Sequence, residues 1–384
     1  MGRCWPGAFC YEVTRLRWTA YRLPFRSEFT TSRGVSTYRE GLILRLDTDS
    51  GVVGLGEAAP VPERGRGTLG EALAILDEVG SELMGRQMDE VQALMDDMGR
   101  GHGDGAMAAV RCAFDIALLD ATAGAAAISV AELLSGGVSR SVVVNATIGA
   151  EAPAQAATLA ATARESGFPC VKLKVGTASS ADEERRRVAA VREALGPEIK
   201  LRIDANGAWG VEQAVRAIRG LEEYDLEMVE QPVAAGDLPG LARVRAEVDA
   251  PIAADEDVTD VETAERVLEA GAADVLVVKP MVVGGLRPAR RIIEMVTAAG
   301  AEAVVTTTLD SGIGTAAALH LAATLLPGGP ACGLATGSLL AADLITGPLV
   351  ARCGRMELPD GPGLGVKLDE GQLARYGGIE REVS

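Results

Sequence analysis

Four short segments recur at nearly even steps in the second half of the chain: VKLKVG at 171–176, RIDANGAW at 202–209, MVEQPV at 228–233 and IAADED at 252–257. A fifth, VLVVKPMVVGG at 275–285, extends the series. Each is an apolar run of the kind that suits a strand covered on both faces. Each also ends in charge: Lys172 and Lys174, then Asp204, Glu230, Asp255 and Lys279. A buried strand has no reason to end in a carboxylate or an ammonium unless its tip opens onto a site, because a buried unpaired charge is costly. Three carboxylates flanked by lysine-bearing tips make the pattern of a metal site between two bases.

From Ser141 onward the rhythm is strand, loop, helix. Candidate strands are VVVNATIG, CVKLKVG, KLRIDA, EMVEQP, PIAADE, VLVVKP, AVVTTT and ACGLAT, separated by helical stretches such as EERRRVAAVREAL and VEQAVRAIRGL. Alternation of this kind predicts parallel strands joined by right-handed crossovers. Eight strands with functional residues on successive C-terminal tips fit a closed barrel. An open doubly wound sheet places its ligand at one switch point and needs no charge on five tips in a row. Ahead of the barrel, residues 11 to about 62 read as strands with a DSG turn, and Leu69 to Ala123 as two or three helices. The expected division is an α+β domain over 1–125, a barrel over 126–345, and a segment over 346–384 that returns to the first domain. Residues 1–10 read as a disordered extension or as lying upstream of the true start.

Composition removes some partners. With a formal charge of −17 the chain is a poor ligand for nucleic acid or an anionic membrane surface. Six cysteines lie scattered without CxxC spacing, as expected of reduced thiols in a cytoplasmic protein. No apolar run reaches membrane-spanning length, and the first residues lack the pattern of a signal peptide. A homo-oligomer stays open.

Asp204, Glu230 and Asp255 offer hard oxygen donors with no His or Cys beside them, which suits Mg²⁺, with Mn²⁺ as a substitute. Asn206, two residues past Asp204, shares its strand face, and Glu256 follows Asp255. Both are supporting residues. Lys172 and Lys174 alternate on one strand and point the same way. Their mutual repulsion and burial are expected to push a lysine pKa down toward that of a working base. Lys279 would approach from the opposite side of the barrel mouth. A metal between two lysines suits removal of a proton α to a carboxylate, with the metal stabilising the enediolate. The expected partner is a small-molecule carboxylate substrate.

The motifs KLK at 172–174, DAN at 204–206, EQP at 230–232, DED at 255–257 and KP at 279–280 together resemble the enolase superfamily, in its muconate-lactonizing subgroup. The resemblance implies an α/β fold: a modified (β/α)7β TIM-type barrel with an N-terminal α+β capping domain. It also implies Mg²⁺ on Asp204, Glu230 and Asp255, Lys174 and Lys279 as the opposed catalytic pair, and Lys172 as the auxiliary that tunes Lys174. Members of the mandelate racemase type use a His on the seventh strand, which here reads AVVTTTLD; His102 and His320 both read as structural. Asp115 and Asp120 read as interdomain or capping carboxylates, and Glu57 carries no motif for chemistry.

Within the subgroup, TTLDSGIGTAAALHLAATL followed by ACGLATGSLLAADL is most similar to the o-succinylbenzoate synthases. That similarity implies a lyase, a dehydratase of menaquinone biosynthesis acting on a hydroxy-cyclohexadiene carboxylate with a succinyl chain. The backbone N–H groups of Ser311 and Gly312, with Arg26 or Arg33 of the cap, are the expected partners of the succinyl carboxylate. The loop FRSEFTTSRG (25–34) reads equally as a lid and as an ordinary hairpin. Asp310 stands where relatives commonly carry Glu, which alters how the loop is braced. The alternatives in the subgroup are N-succinylamino acid racemase, dipeptide epimerase and muconate cycloisomerase. The dipeptide epimerases carry an Asp-x-Asp after the eighth strand, where this chain has GLATGSLL.

Overall fold

Two sheets of opposite character divide the chain, antiparallel at the start and parallel thereafter. A computed structural model describes residues 11–31, 34–62, 65–99, 105–135, 138–149 and 152–384. The expectations for residues 1–10, Arg33 and His102 lie outside the described residues.

Strands β1 (Val13–Thr31), β2 (Gly34–Thr48) and β3 (Val53–Ala58) form an antiparallel sheet in that order. Leu16, Trp18 and Leu23 of β1 and Leu42, Leu44 and Leu46 of β2 are buried in the core that helices Leu69–Val79, Met88–Met98 and Gly105–Ala125 also join. The last helix lies unusually close to β3. A Cβ at Gly54 or Gly56 would sit 2.0 Å from the carbonyl oxygens of Ala117 and Ala113. Only glycine permits that approach, and GLGEA is the sequence mark of it.

After helix Val130–Ser135 come β4 (Ser141–Val143), β5 (Ala146–Ile148), β6 (Cys170–Lys174), β7 (Lys200–Asp204), β8 (Leu226–Glu230), β9 (Ile252–Ala254), β10 (Val275–Val278) and β11 (Glu302–Val305). From β5 to β11 each pairs in parallel with the next, seven strands in chain order, with a helix after each strand. The expected first strand is divided. Ser141–Val143 pairs antiparallel with β12 (Arg355–Glu357), and only Ala146–Ile148 joins the barrel. The expected eighth strand shrinks to two parallel bridges, Cys332 with Val144 and Gly333 with Thr306. These close the ring between β5 and β11. The closure is tight: a Cβ on Gly333 would meet Thr306 Cγ2 at 2.7 Å. Arg202, almost fully buried, braces it by donating to the carbonyl of Ala331 at 2.7 Å.

The final strand, β13 (Arg381–Val383), runs antiparallel to β1, placing Val383 opposite Leu16. Carboxylates bind the parts together. Asp115 accepts from the N–H groups of Leu286 and Arg287, capping helix Leu286–Ala298 of the barrel. Asp120 accepts from Leu55 N–H at 2.8 Å and Leu364 N–H at 2.7 Å. Among the described residues no helix is long and apolar enough to cross a membrane.

Candidate active site

Register alone brings the charged tips together. Lys174, Asp204 and Glu230 are ladder partners across β6, β7 and β8, and Asp255 follows β9 directly. Carboxylate oxygens of Asp204, Glu230 and Asp255 lie within 4.8 Å of one another, and all three residues are buried. Lys172 Nζ lies 2.9 Å from Glu230 Oε1 and 3.2 Å from Asp204 Oδ2. Lys174 Nζ donates to Asp204 Oδ2 and, at 3.0 Å, to Asn206 Oδ1. Lys279 Nζ donates to both oxygens of Asp255. Lys174 and Lys279 thus stand at opposite ends of the triad, with Lys172 between them on Glu230.

The tips turn on residues that a sheet would not accept. Asn206 and Gln231 both adopt the left-handed region, at φ 46° and 40°. Asn is among the few side chains suited to it. Asn206 Nδ2 also donates to Glu256 Oε1 at 3.1 Å. Gln231 braces the third ligand: its Oε1 accepts from Asp255 N–H at 2.9 Å while its Nε2 donates to Asp257 Oδ2 at 2.7 Å. Neither Gln231 nor Asp257 was expected in the site, although both stand inside the EQP and DED motifs.

Electrostatics at the triad favour a cation. Burial, and then the charge of Asp204, pushes Glu230 up to about 7 even with Lys172 beside it. Burial also opposes ionisation of Asp204, but Lys174 and Lys172 outweigh it and hold Asp204 well below the usual range. For Lys172 the expected depression is reversed. Burial lowers it, but Glu230, Asp204 and Asp255 more than compensate and hold it above an ordinary lysine. The repulsion expected between neighbouring lysines is smaller than the attraction of three acids. A divalent cation fits this donor set: three hard carboxylate oxygens gathered within 4.8 Å of one another.

A cavity of about 180 Å³ opens above the triad, with Lys172, Lys174, Asn206 and Lys279 in its floor. Thr147, Thr306, Thr307, Thr308 and Thr336 line one wall. The rest of the lining is more apolar: Phe29 and Val35 from β1 and β2, Val61 of the cap, and Leu309. The described residues of the loop at 25–34 continue β1 and β2: Phe29 pairs with Ser36, and both line the cavity. The threonine wall was readable as TTT after the seventh strand, yet hydroxyls alone carry no motif.

Two expectations for the succinyl end do not hold. Ser311 N–H donates to Glu57 Oε1 at 2.8 Å, and Gly312 N–H to Asp343 Oδ1 at 2.7 Å. Both donors are already engaged by carboxylates, and neither residue lines the cavity. Arg26 points elsewhere, donating to the carbonyl of Ser338 at 3.1 Å. Glu57, fully buried, proves to be the hub of the cap–barrel contact. It accepts from Ser311 N–H, Ser311 Oγ, Gly314 N–H and the Tyr21 hydroxyl. His320 is structural: its Nδ1 accepts from Ala131 N–H at 3.2 Å, and burial lowers it to about 4.

Comparison with known proteins agrees with this geometry. Residues 12–135 match the mandelate racemase / muconate lactonizing enzyme N-terminal domain, and residues 155–372 match the enolase C-terminal domain-like family. A hydrophobic dipeptide epimerase from Enterococcus faecalis is 34% identical over 81% of this chain and 87% of its own length. An o-succinylbenzoate synthase from Thermobifida fusca is 45% identical, over 54% of this chain and 63% of its own. A solved dipeptide epimerase from E. faecalis, complexed with Mg and the dipeptide L-Leu-L-Tyr, aligns with a TM-score of 0.87 at 31% identity. That alignment covers 93% of this chain and 99% of the other. With its capping domain, its parallel barrel and its carboxylate triad, the chain belongs to the enolase superfamily, in the mandelate racemase / muconate lactonizing enzyme group.

Proposed function

We propose that the protein is an o-succinylbenzoate synthase, dehydrating 2-succinyl-6-hydroxy-2,4-cyclohexadiene-1-carboxylate. The observation that carries this reading is the cavity wall. Among the described residues its lining holds hydroxyls, apolar groups, Asn206 and the lysines of the floor, but no carboxylate to pair with a substrate ammonium. An unblocked dipeptide would leave that charge uncompensated, at a cost of several kcal/mol. The E. faecalis relative favours the dipeptide reading by its longer alignment, so the two must be separated by assay.

In this reading Asp204, Glu230 and Asp255 would hold Mg²⁺, which would supply the positive charge a carboxylate needs when its α-proton leaves. Lys174 takes that proton, and the β-hydroxyl then departs as water with the same proton returned by Lys174. Lys279, held on the far side of the triad by Asp255, stays a cation and stabilises the charge that develops. Lys172, paired with Glu230 and Asp204, is held as a cation beside Lys174 and positions the two carboxylates around it.

The test is a panel of the cyclohexadiene substrate, L-Leu-L-Tyr and N-succinylamino acids, with and without chelator. Dehydration is expected to be fastest, abolished by chelator and restored by Mg²⁺. Lys174→Ala should lose on the order of 10³-fold or more in kcat, whereas Lys279→Arg keeps a trace because the charge survives. Glu230→Gln should weaken Mg²⁺ binding. Faster turnover of the dipeptide would overturn the reading and leave the metal site standing.

A further inference from the structure

Resting on the reading just given, we propose that Leu309, held in a left-handed backbone conformation by a clamp from the cap, is a specificity-determining residue of the pocket. Three neighbouring positions carry the argument. Leu309 has φ 65°, a region that costs a branched side chain free energy and that glycine or asparagine adopts readily. Nothing in leucine's own chemistry selects that geometry, so the residues on either side must impose it. Thr308 donates through both its N–H and its Oγ1 to the single Oδ1 of Asp310, closing a bridge over Leu309. Arg39, buried and belonging to the cap, donates to the carbonyls of Ala59 and Pro60 and, at 3.3 Å, to Thr308 Oγ1.

The consequence is directional. Leu309 lines the cavity while Asp310 beside it is buried among Thr308 and Arg39. With Phe29, Val35 and Val61, Leu309 supplies the apolar part of the wall. A strained residue at a binding surface persists only where its surroundings over-determine it. Here the clamp spans both halves of the fold, so the wall takes its final form only when cap and barrel are docked. A substrate with an apolar ring face gains contact from this wall, whereas a small polar acid does not.

The experiment uses Leu309→Ala, Leu309→Gly and Leu309→Asn in the full chain, with melting temperature, Mg²⁺ affinity by calorimetry, and KM and kcat on the panel above. Leu309→Gly should melt above Leu309→Ala, the reverse of their order at an ordinary position. All three should raise KM at least tenfold for the substrate that the wild type prefers, with Mg²⁺ affinity within twofold. A wild type that prefers the dipeptide sinks the functional reading, and the variants then report on Leu309 with that substrate instead. Should a variant at 309 fail to fold, Phe29→Ala, in the same apolar part of the lining, is expected to raise KM in the same way. The proposal fails if KM stays within twofold, or if Leu309→Ala melts above Leu309→Gly.

Discussion

A buried carboxylate keeps its charge only where hydrogen bonds and cations replace the water it has lost, and Asp120 shows the balance at one residue. Two backbone N–H groups reach its oxygens, but no cation is among the causes that act on it, and burial raises it from 3.8 to about 6. The sign of the consequence follows. Between those values the folded chain keeps a proton that the unfolded chain releases, so this contribution to stability is complete below pH 4 and disappears as pH rises through 6. Asp310 is shifted the same way, to about 6, by burial and then by Glu57. The stability gap between wild type and Asp120→Asn should therefore widen by about 1 kcal/mol on going from about pH 7.5 to about pH 5. Urea denaturation at the two pH values measures it. A constant or narrowing gap would show that Asp120 does not titrate in this range.

Elements meet where single residues cross between them, and Glu57 at the end of β3 is the clearest crossing. Its four donors come from Tyr21 of β1 and from Ser311 and Gly314 at the start of helix Gly312–Ala322. Glu57→Gln would keep the shape but turn one acceptor into a donor facing donors. We expect a loss of about 3 kcal/mol, read as a lower melting temperature, because buried groups are left unsatisfied. Unchanged melting would mean that the contact is dispensable. Such crossings are hard to read from sequence, since Glu57 and Ser311 lie 254 residues apart and neither sits in a periodic pattern that names a partner. The triad and lysines are legible for the opposite reason: each charge interrupts a run of buried-type residues at a strand tip, and the parallel register stacks the tips. The eighth strand falls between the two cases. Cys332 and Gly333 are too short a stretch to show a period of two, and closure depends on backbone bridges rather than on side chains.

For the whole molecule, alternation of strand and helix is enough to read the barrel, and the switch from strands to helices before Ala125 is enough to read the cap. What alternation does not give is how the returning segment finds its place. β13 does so by pairing with β1, with Val383 beside Leu16, so the two outer limits of the described chain are neighbours on one sheet. The linear order of the chain is then separable from its architecture. Joining residue 384 to residue 13 through a linker of about four residues would make an ordinary hairpin. New ends can be opened between Gly328 and Gly329, in an exposed turn beside Leu326 that takes no part in the cavity over the triad. Such a circular permutant should fold and bind Mg²⁺ as the parent does, checked by circular dichroism and calorimetry. Aggregation, or a tenfold loss of Mg²⁺ affinity, would mean instead that folding depends on making the cap strands first and the barrel after them.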